Sequence, residues 1–342
     1  MSKLTSLISA FIHTKIFWPM VAIAAILLFN LIFIPGFFEI EIKDGHLFGS
    51  TIDILNRATP LIIIALGLTL VIANEGIDIS VGAVLAITAA VVLTLIPIAP
   101  LWLAILTGFA VGIVCGMWNG MLVAYIGVQP MVATLILWVA GRGIAQLITG
   151  GQILTVYNDA YSYIGTGFLL GLPFAVFISV AVFTVLMLFK KRTAFGLFLE
   201  TVGTNLTASK FVGIRHKRII FFTYVICGLC AGIAGIIVSS NVSSADANNA
   251  GLWIELDAIL AVVIGGTSMR GGRFYLGGTV AGALFIQTIT TTIYTMGIPP
   301  EVIMVLKAVA VIIVCLLQSE AFRMMFVRRR KQVAMYDQTL QN

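Results

Sequence analysis

Apolar residues fall in long runs along this chain, at 16–38, 51–73, 80–97, 101–126, 130–149, 168–189, 219–241, 256–268, 275–296 and 300–318, with short polar stretches between them. A helix needs ~20 apolar residues to cross a hydrocarbon layer of about 30 Å, and most of these runs approach that length. They are continuous rather than alternating, which excludes the weak two-residue period of an outer-membrane barrel. The pattern predicts an all-α, polytopic membrane protein with about ten transmembrane helices.

Two runs are interrupted. The second ends at Val71 and Ile72 and breaks into Asn74-Glu75-Gly76-Ile77-Asp78-Ile79-Ser80, after which a new helix is expected from Val81 with Ser80 as its cap. Leu256 to Ile264 is too short to span and ends in Gly265-Gly266-Thr267-Ser268-Met269-Arg270-Gly271-Gly272. Irregular backbone at membrane depth survives only around a cavity or within protein, so both breaks mark places of interest. Rows of small residues at Gly112, Gly116 and Gly120, at Gly228 and Gly232, and at Gly278 and Gly282 predict close helix packing. The two halves of the chain are similar in length but show no residue-by-residue repeat.

The longest polar stretch, residues 190–218, separates those halves. Lys190, Lys191, Arg192, Lys210, Arg215, Lys217 and Arg218 face one acid, Glu200, which places the loop on the cytoplasmic side. It also reads as structured. Phe195, Phe198, Leu199, Val202 and Leu206 recur at helical spacing, Asn205 is placed to cap a short helix and Gly213 to end it. Eight residues from Asn205 to Val212 make a rod of about 12 Å.

Composition agrees with the pattern. With 60% hydrophobic and 10% charged residues and a mean hydropathy of +1.10, the 342-residue chain has too little polar surface to cover a soluble globule. The net charge of +6 reflects orientation rather than nucleic-acid binding, because the basic residues collect in the N-terminus, the central loop, the turn with Arg270 and Arg273, and the tail. Lys3, His13 and Lys15 precede a first run without a small-residue cleavage site, so it is expected to stay as a span. An even number of spans then puts both termini in the cytoplasm. The opposite loops are acidic, with Glu39, Glu41, Asp44, Asp159, Asp246, Glu255, Asp257 and Glu301, and only Lys43 departs from this. The basic tail, 319–342, carries Arg323, Arg328, Arg329, Arg330 and Lys331 and is expected to lie on anionic membrane lipid. Cys115, Cys227, Cys230 and Cys315 sit within apolar segments and read as core thiols.

Chemistry is sparse. The chain has no G-x-x-x-x-G-K-[ST] and no Gly-Lys pair, so it carries no ATPase of its own and needs no cofactor, and an enzyme is not expected. His13, His46 and His216 lie on different loops, which argues against a metal site. Ionisable residues inside spans are Asp53, Arg57, Asp78, Arg142 and Lys307. Asp53 and Arg57, four apart, are expected to pair, and Lys307 to reach the interface. Asp78 and Arg142 are candidates for a translocation path, together with Gln146 on the Arg142 face and Asn119 and Gln129 in neighbouring spans, a set suited to a hydroxyl-rich solute. Asp246, Glu255 and Asp257 are candidates for a gate or a periplasmic contact. No relay of buried carboxylates for proton-driven transport is visible.

Read together, these features resemble the permease subunits of sugar ABC importers of the ribose type, from about residue 44 to 320. The marks are Gly76-Ile77-Asp78-Ile79-Ser80-Val81-Gly82, Glu200-Thr201-Val202-Gly203-Thr204-Asn205 through Ala208 to Gly213-Ile214, and Glu255-Leu256-Asp257-Ala258-Ile259 leading to Gly265-Gly266-Thr267-Ser268 and Gly271-Gly272. Within that family the chain looks most like a permease of the galactofuranose importer. The stretches that carry this are Asp44-Gly45-His46-Leu47-Phe48-Gly49-Ser50, then Ile52-Asp53-Ile54-Leu55-Asn56-Arg57-Ala58, and Asp246-Ala247-Asn248-Asn249-Ala250-Gly251-Leu252-Trp253. The resemblance implies a single permease domain over 1–342 in the bacterial inner membrane, moving a galactofuranose-like or ribose-like monosaccharide from periplasm to cytoplasm. It implies a periplasmic sugar-binding protein, a cytoplasmic subunit that binds ATP, and a second permease, with a heterodimer favoured over a homodimer. Glu200, Gly203, Asn205, Ala208 and Gly213 would then couple the chain to the ATPase. An ion-coupled secondary transporter or channel, and a scaffold or sensor without transport, stand as alternatives.

Overall fold

The computed structural model describes residues 17–43 and 45–318. The N-terminal Lys3, His13 and Lys15, Asp44 and the basic tail lie outside the described residues, as do the side chains of Lys43, Glu301 and Cys315. The described residues are 73% helix and 4% strand. Its helices are α1 (Phe17–Phe33), α2 (Ser50–Ile72), α3 (Val81–Leu95), α4 (Leu101–Met121), α5 (Pro130–Thr149), α6 (Asp159–Thr166), α7 (Phe174–Arg192), α8 (Ala194–Thr204), α9 (Leu206–Phe211), α10 (His216–Val242), α11 (Ile254–Ile264), α12 (Leu276–Thr295) and α13 (Pro300–Gln318). Helix α4 runs on through a wider π turn at Leu122–Ile126.

Each predicted run contains a helix, but the helices differ in reach. Among the described residues, six are long and apolar enough to cross a membrane: α2, α4 with its π turn, α5, α7, α10 and α12. Helices α3 and α11 have 15 and 11 residues, so at 1.5 Å per residue they extend only about 22 and 16 Å. Each of these two lies beside one of the breaks.

Helix α2 is at the centre. Its run Leu61-Ile62-Ile63-Ile64-Ala65-Leu66 is apolar on every side, and a helix apolar all round is stable only when surrounded. It is buried continuously from Ala58 to Ala73 and packs against α7, α10, α11 and α12. The small-residue rows meet one another within the subunit. A side chain at Gly112 of α4 would come within 2.5 Å of the Gly228 carbonyl of α10, and Gly282 of α12 lies against Ala261 of α11.

Three two-stranded ribbons depart from the all-α expectation. They are β1 (Glu41–Lys43) with β2 (His46–Phe48), β3 (Leu154–Thr155) with β6 (Ser244–Ala245), and β4 (Phe168–Leu169) with β5 (Leu172–Pro173). The turn between β4 and β5 has positive φ at both Leu170 (51°) and Gly171 (81°), as a two-residue hairpin requires. Of the three ribbons, β3–β6 links the most distant parts of the chain. By joining Leu154 to Ala245 it ties the loop after α5 to the loop after α10.

Candidate functional site

The first break is built around Asp78. The backbone leaves the helix at Glu75, with φ 61°, and α3 begins after Ser80. Ser80 does not cap α3 with its side chain, contrary to the sequence expectation. Its hydroxyl donates to Asp78 Oδ1 at 2.6 Å and its backbone N–H to the same oxygen at 3.0 Å, so the carboxylate holds the turn. The Asn119 side-chain amide of α4 donates to Ser80 Oγ at 2.8 Å and lies 3.4 Å from Asp78 Oδ1. Thr134 of α5 accepts the Ile79 N–H at 3.2 Å. Asp78 and Asn119 are thus brought together, each 1% exposed, inside the subunit. Asn119 Oδ1 and the nearby Tyr224 hydroxyl are buried with no partner.

Helix α5 carries Thr134, Trp138, Arg142 and Gln146 at four-residue spacing, so they form one stripe along it. The stripe grips the segment between α10 and α11. Trp138 Nε1–H donates to Glu255 Oε1 at 2.9 Å, and Arg142 Nη1 donates to the carbonyls of Ala250 (2.6 Å), Ala247 (3.3 Å) and Asn248 (3.4 Å). Gln146 donates to the Asn248 side chain. Glu255 is 2% exposed, and its second oxygen has no partner. Gly82, in the first turn of α3, leaves room for that oxygen and for the Gly251 carbonyl. The segment is also held from within: Asp246 accepts the N–H groups of Asn248 (2.9 Å) and Asn249 (3.2 Å) and the Asn249 side-chain amide (2.7 Å). That side-chain amide, helped by the two N–H groups and by Arg142, keeps the Asp246 carboxyl below its ordinary range despite some desolvation. Gln129 is exposed ahead of α5 and is not part of this cluster.

The central polar stretch folds into two helices, α8 and α9, rather than the single eight-residue rod expected. Asn205 joins them: its Oδ1 accepts the Ala208 N–H at 2.9 Å, capping α9. Gly213, with φ 82°, follows the end of α9. Glu200 pairs with Lys190 at 3.0 Å, and Lys190 Nζ also lies 3.7 Å from the centre of the Phe274 ring. Leu199 is fully buried, whereas Phe211 and Val212 are 88% and 79% exposed, so the free apolar surface lies at the far end of α9. Gly203 is buried against other backbone. A side chain there would fall 2.7 Å from the Gly272 nitrogen and closer still to the Ala73 carbonyl oxygen, and Gly272 N–H donates to that oxygen at 2.9 Å. The end of α8, the end of α2 and the double-glycine turn therefore meet at one point.

Residues 50–315 match the family described as "Branched-chain amino acid transport system / permease component". The chain belongs to this permease family. The permease is 50% identical to the galactofuranose transporter permease protein YtfT of Escherichia coli K12 over 311 residues, 89% of this chain and 91% of the relative. It is 38% identical to the fructose import permease protein FruF of Bifidobacterium longum, over 90% of this chain and 88% of that one. It is 35% identical to the ribose import permease protein RbsC of Haemophilus influenzae, over 82% and 86%. No solved structure matches. As a member of this family the permease is a transport subunit of the inner membrane.

Two sequence expectations about its charges are corrected. Lys307 of α13 does not reach away to the interface but pairs with Asp257 of α11 at 2.7 Å, with both side chains mostly covered. Asp257 is thus held between two helices. Asp53 and Arg57 form no ion pair among the described residues; both are exposed on a polar cleft. Sequence reasoning also missed Thr134 and Trp138, although their four-residue spacing down to Arg142 was a usable signal.

Proposed function

We propose that the permease is one of two membrane subunits of an importer that moves a galactofuranose-like or ribose-like monosaccharide into the cytoplasm. ATP is bound and hydrolysed by a partner subunit, and a periplasmic sugar-binding protein delivers the solute. The sugar class is supported by the relatives, named for galactofuranose, fructose and ribose, against a family description that mentions amino acids. Ten crossings, both termini inside and a heterodimer complete the reading. The acidic and basic loop asymmetry supports the sidedness.

The observation that carries the mechanism is the backbone junction at Gly203. Under this reading the ATPase seats α9 through Phe211 and Val212, with Asn205, Ala208 and Gly213 defining its ends and the Lys190–Glu200 pair fixing α8 to α7. A push on α9 reaches the end of α2 and the double-glycine turn without passing through flexible side chains, because Gly203 touches both through main-chain atoms. The Asp78, Ser80 and Asn119 cluster keeps the break in one shape. At the other end Arg142, Gln146 and Glu255 hold the Asp246 to Trp253 segment as an outer gate.

Reconstitution of this chain with its ATP-binding subunit, sugar-binding protein and second permease tests the reading. Uptake of a monosaccharide should require ATP and survive collapse of ion gradients. Uptake that persists without the ATPase and follows a proton or sodium gradient would show the reading to be wrong.

A further inference from the structure

Asp78 and Asn119 lie inside the subunit, yet the structure holds a polar cleft elsewhere. It has a volume of about 560 Å³, within the ~300–1,000 Å³ range of small-molecule sites, and lies between the first turns of α2 and the last turns of α12. Each of its eight lining residues bears a hydroxyl, an amide or a charge, in a chain that is 60% hydrophobic. Asp53 and Arg57 enter from α2, and Gln287, Thr290, Thr291 and Tyr294 from α12.

Two observations favour a solute site over a stretch of surface. Helix α2 is the central helix, 78% buried over its apolar window, and Asp53 and Arg57 are its only exposed residues. Its two charges are therefore displayed only where the helix opens to the cleft. They are also left unpaired with each other, so a carboxylate acceptor and a guanidinium fork remain available.

We infer that this cleft is a binding site for a monosaccharide at the outer mouth of the translocation route, an inference that rests on the sugar reading above. Asp53 accepts from sugar hydroxyls and Arg57 donates to them. Gln287 and the threonines do either, and the half-exposed Tyr294 offers a flat face to the C–H side of the ring.

The test uses the complete importer in sealed vesicles with Thr290→Cys or Tyr294→Cys, the wild type giving the background from native thiols. Charged, membrane-impermeant maleimide should label either cysteine from the outer side. Labelling should slow about tenfold with saturating D-galactose, D-fructose or D-ribose, whichever the wild type transports, as expected when a bound ligand occupies the site most of the time. Gln287→Leu with Thr290→Val should lower uptake about tenfold, the loss expected for one or two hydrogen bonds. Labelling that ignores the sugar, or that only a lipid-soluble maleimide achieves, overturns the inference and marks the cleft as a lipid-facing groove. A wild type that takes up none of these sugars with ATP overturns the sugar reading itself and the cleft's ligand with it.

Discussion

Replacement of Gly203 by alanine adds one methyl group at the backbone junction between α8, α2 and the double-glycine turn. The methyl carbon would lie 2.7 Å from the Gly272 nitrogen and 2.9 Å from the Ala73 carbonyl carbon, where 3.4–4 Å is ordinary contact. All of the obstructing atoms are main chain, so no side chain can rotate aside, and because the Ala73 carbonyl oxygen lies nearer still, the helix must shift by roughly 1.5 Å or more to regain the ~3.5 Å of normal packing. Such overpacking costs about 1–3 kcal/mol, and loss of the Gly272 N–H to Ala73 hydrogen bond about 1 kcal/mol more. Alanine returns up to ~1 kcal/mol through its better helix propensity, which leaves a net loss of about 1–3 kcal/mol. Gly127→Ala is the control: nothing lies within 4 Å of its added methyl, and only its φ of 85° is strained, at about 1–2 kcal/mol. The two variants thus lose similar stability at different places. Thermal unfolding in detergent should show comparable shifts, whereas sugar uptake per ATP hydrolysed in the reconstituted importer should fall about tenfold, or ~1.4 kcal/mol of coupling, in Gly203→Ala alone. A folded Gly203→Ala importer that keeps wild-type uptake per ATP would refute transmission through this junction.

Further predictions concern the charges. Arg142→Ala removes a guanidinium that serves three carbonyls, costing about 1.5–3 kcal/mol, and should expose the Asp246 to Trp253 segment to added protease; an unchanged cleavage pattern would show that the β3–β6 ribbon alone holds it. Lys307→Ala leaves Asp257 without its partner between α11 and α13 and should cost about 1–3 kcal/mol, while exchange of the two residues should recover most of the loss in thermal unfolding. For Asp246 the folded carboxyl titrates below its ordinary 3.8, so its stabilisation is full above that value and is lost as pH falls through the lower folded value. Amide exchange at Asn248 and Asn249 should therefore be insensitive to this group between pH ~7 and ~5 and rise only in stronger acid. Asp246→Asn should raise it between pH ~7 and ~5, with the difference from the wild type closing in stronger acid.

The positions of the helices and the cap at Asn205 were legible along the chain because each is a local signal. Apolar length and an Asx residue ahead of a helical turn both act within a few residues. The two breaks were legible for the same reason, since Asn74 to Ser80 and Gly265 to Gly272 interrupt apolar runs in plain sight. The work these segments do was not. Arg142 finds its acceptors 105 to 108 residues away, on backbone carbonyls, and every residue has a carbonyl, so no sequence pattern marks those partners. Lys307 has its partner 50 residues away because α11 and α13 pack together, and a long side chain takes the counter-ion that packing supplies in preference to a stretch toward water. The ribbons were missed because strands of two or three residues are shorter than any periodicity that would reveal them. Gly203 stood in the sequence as one glycine among 33; only the approach of Ala73 and Gly272 makes it a junction, because three separate stretches of main chain come into contact there. In the same way Asp53 and Arg57, four apart on one helix, had the spacing of a pair. Tertiary structure decided that they stay apart, by burying the rest of α2 and opening a polar cleft at the one place where their charges can be solvated.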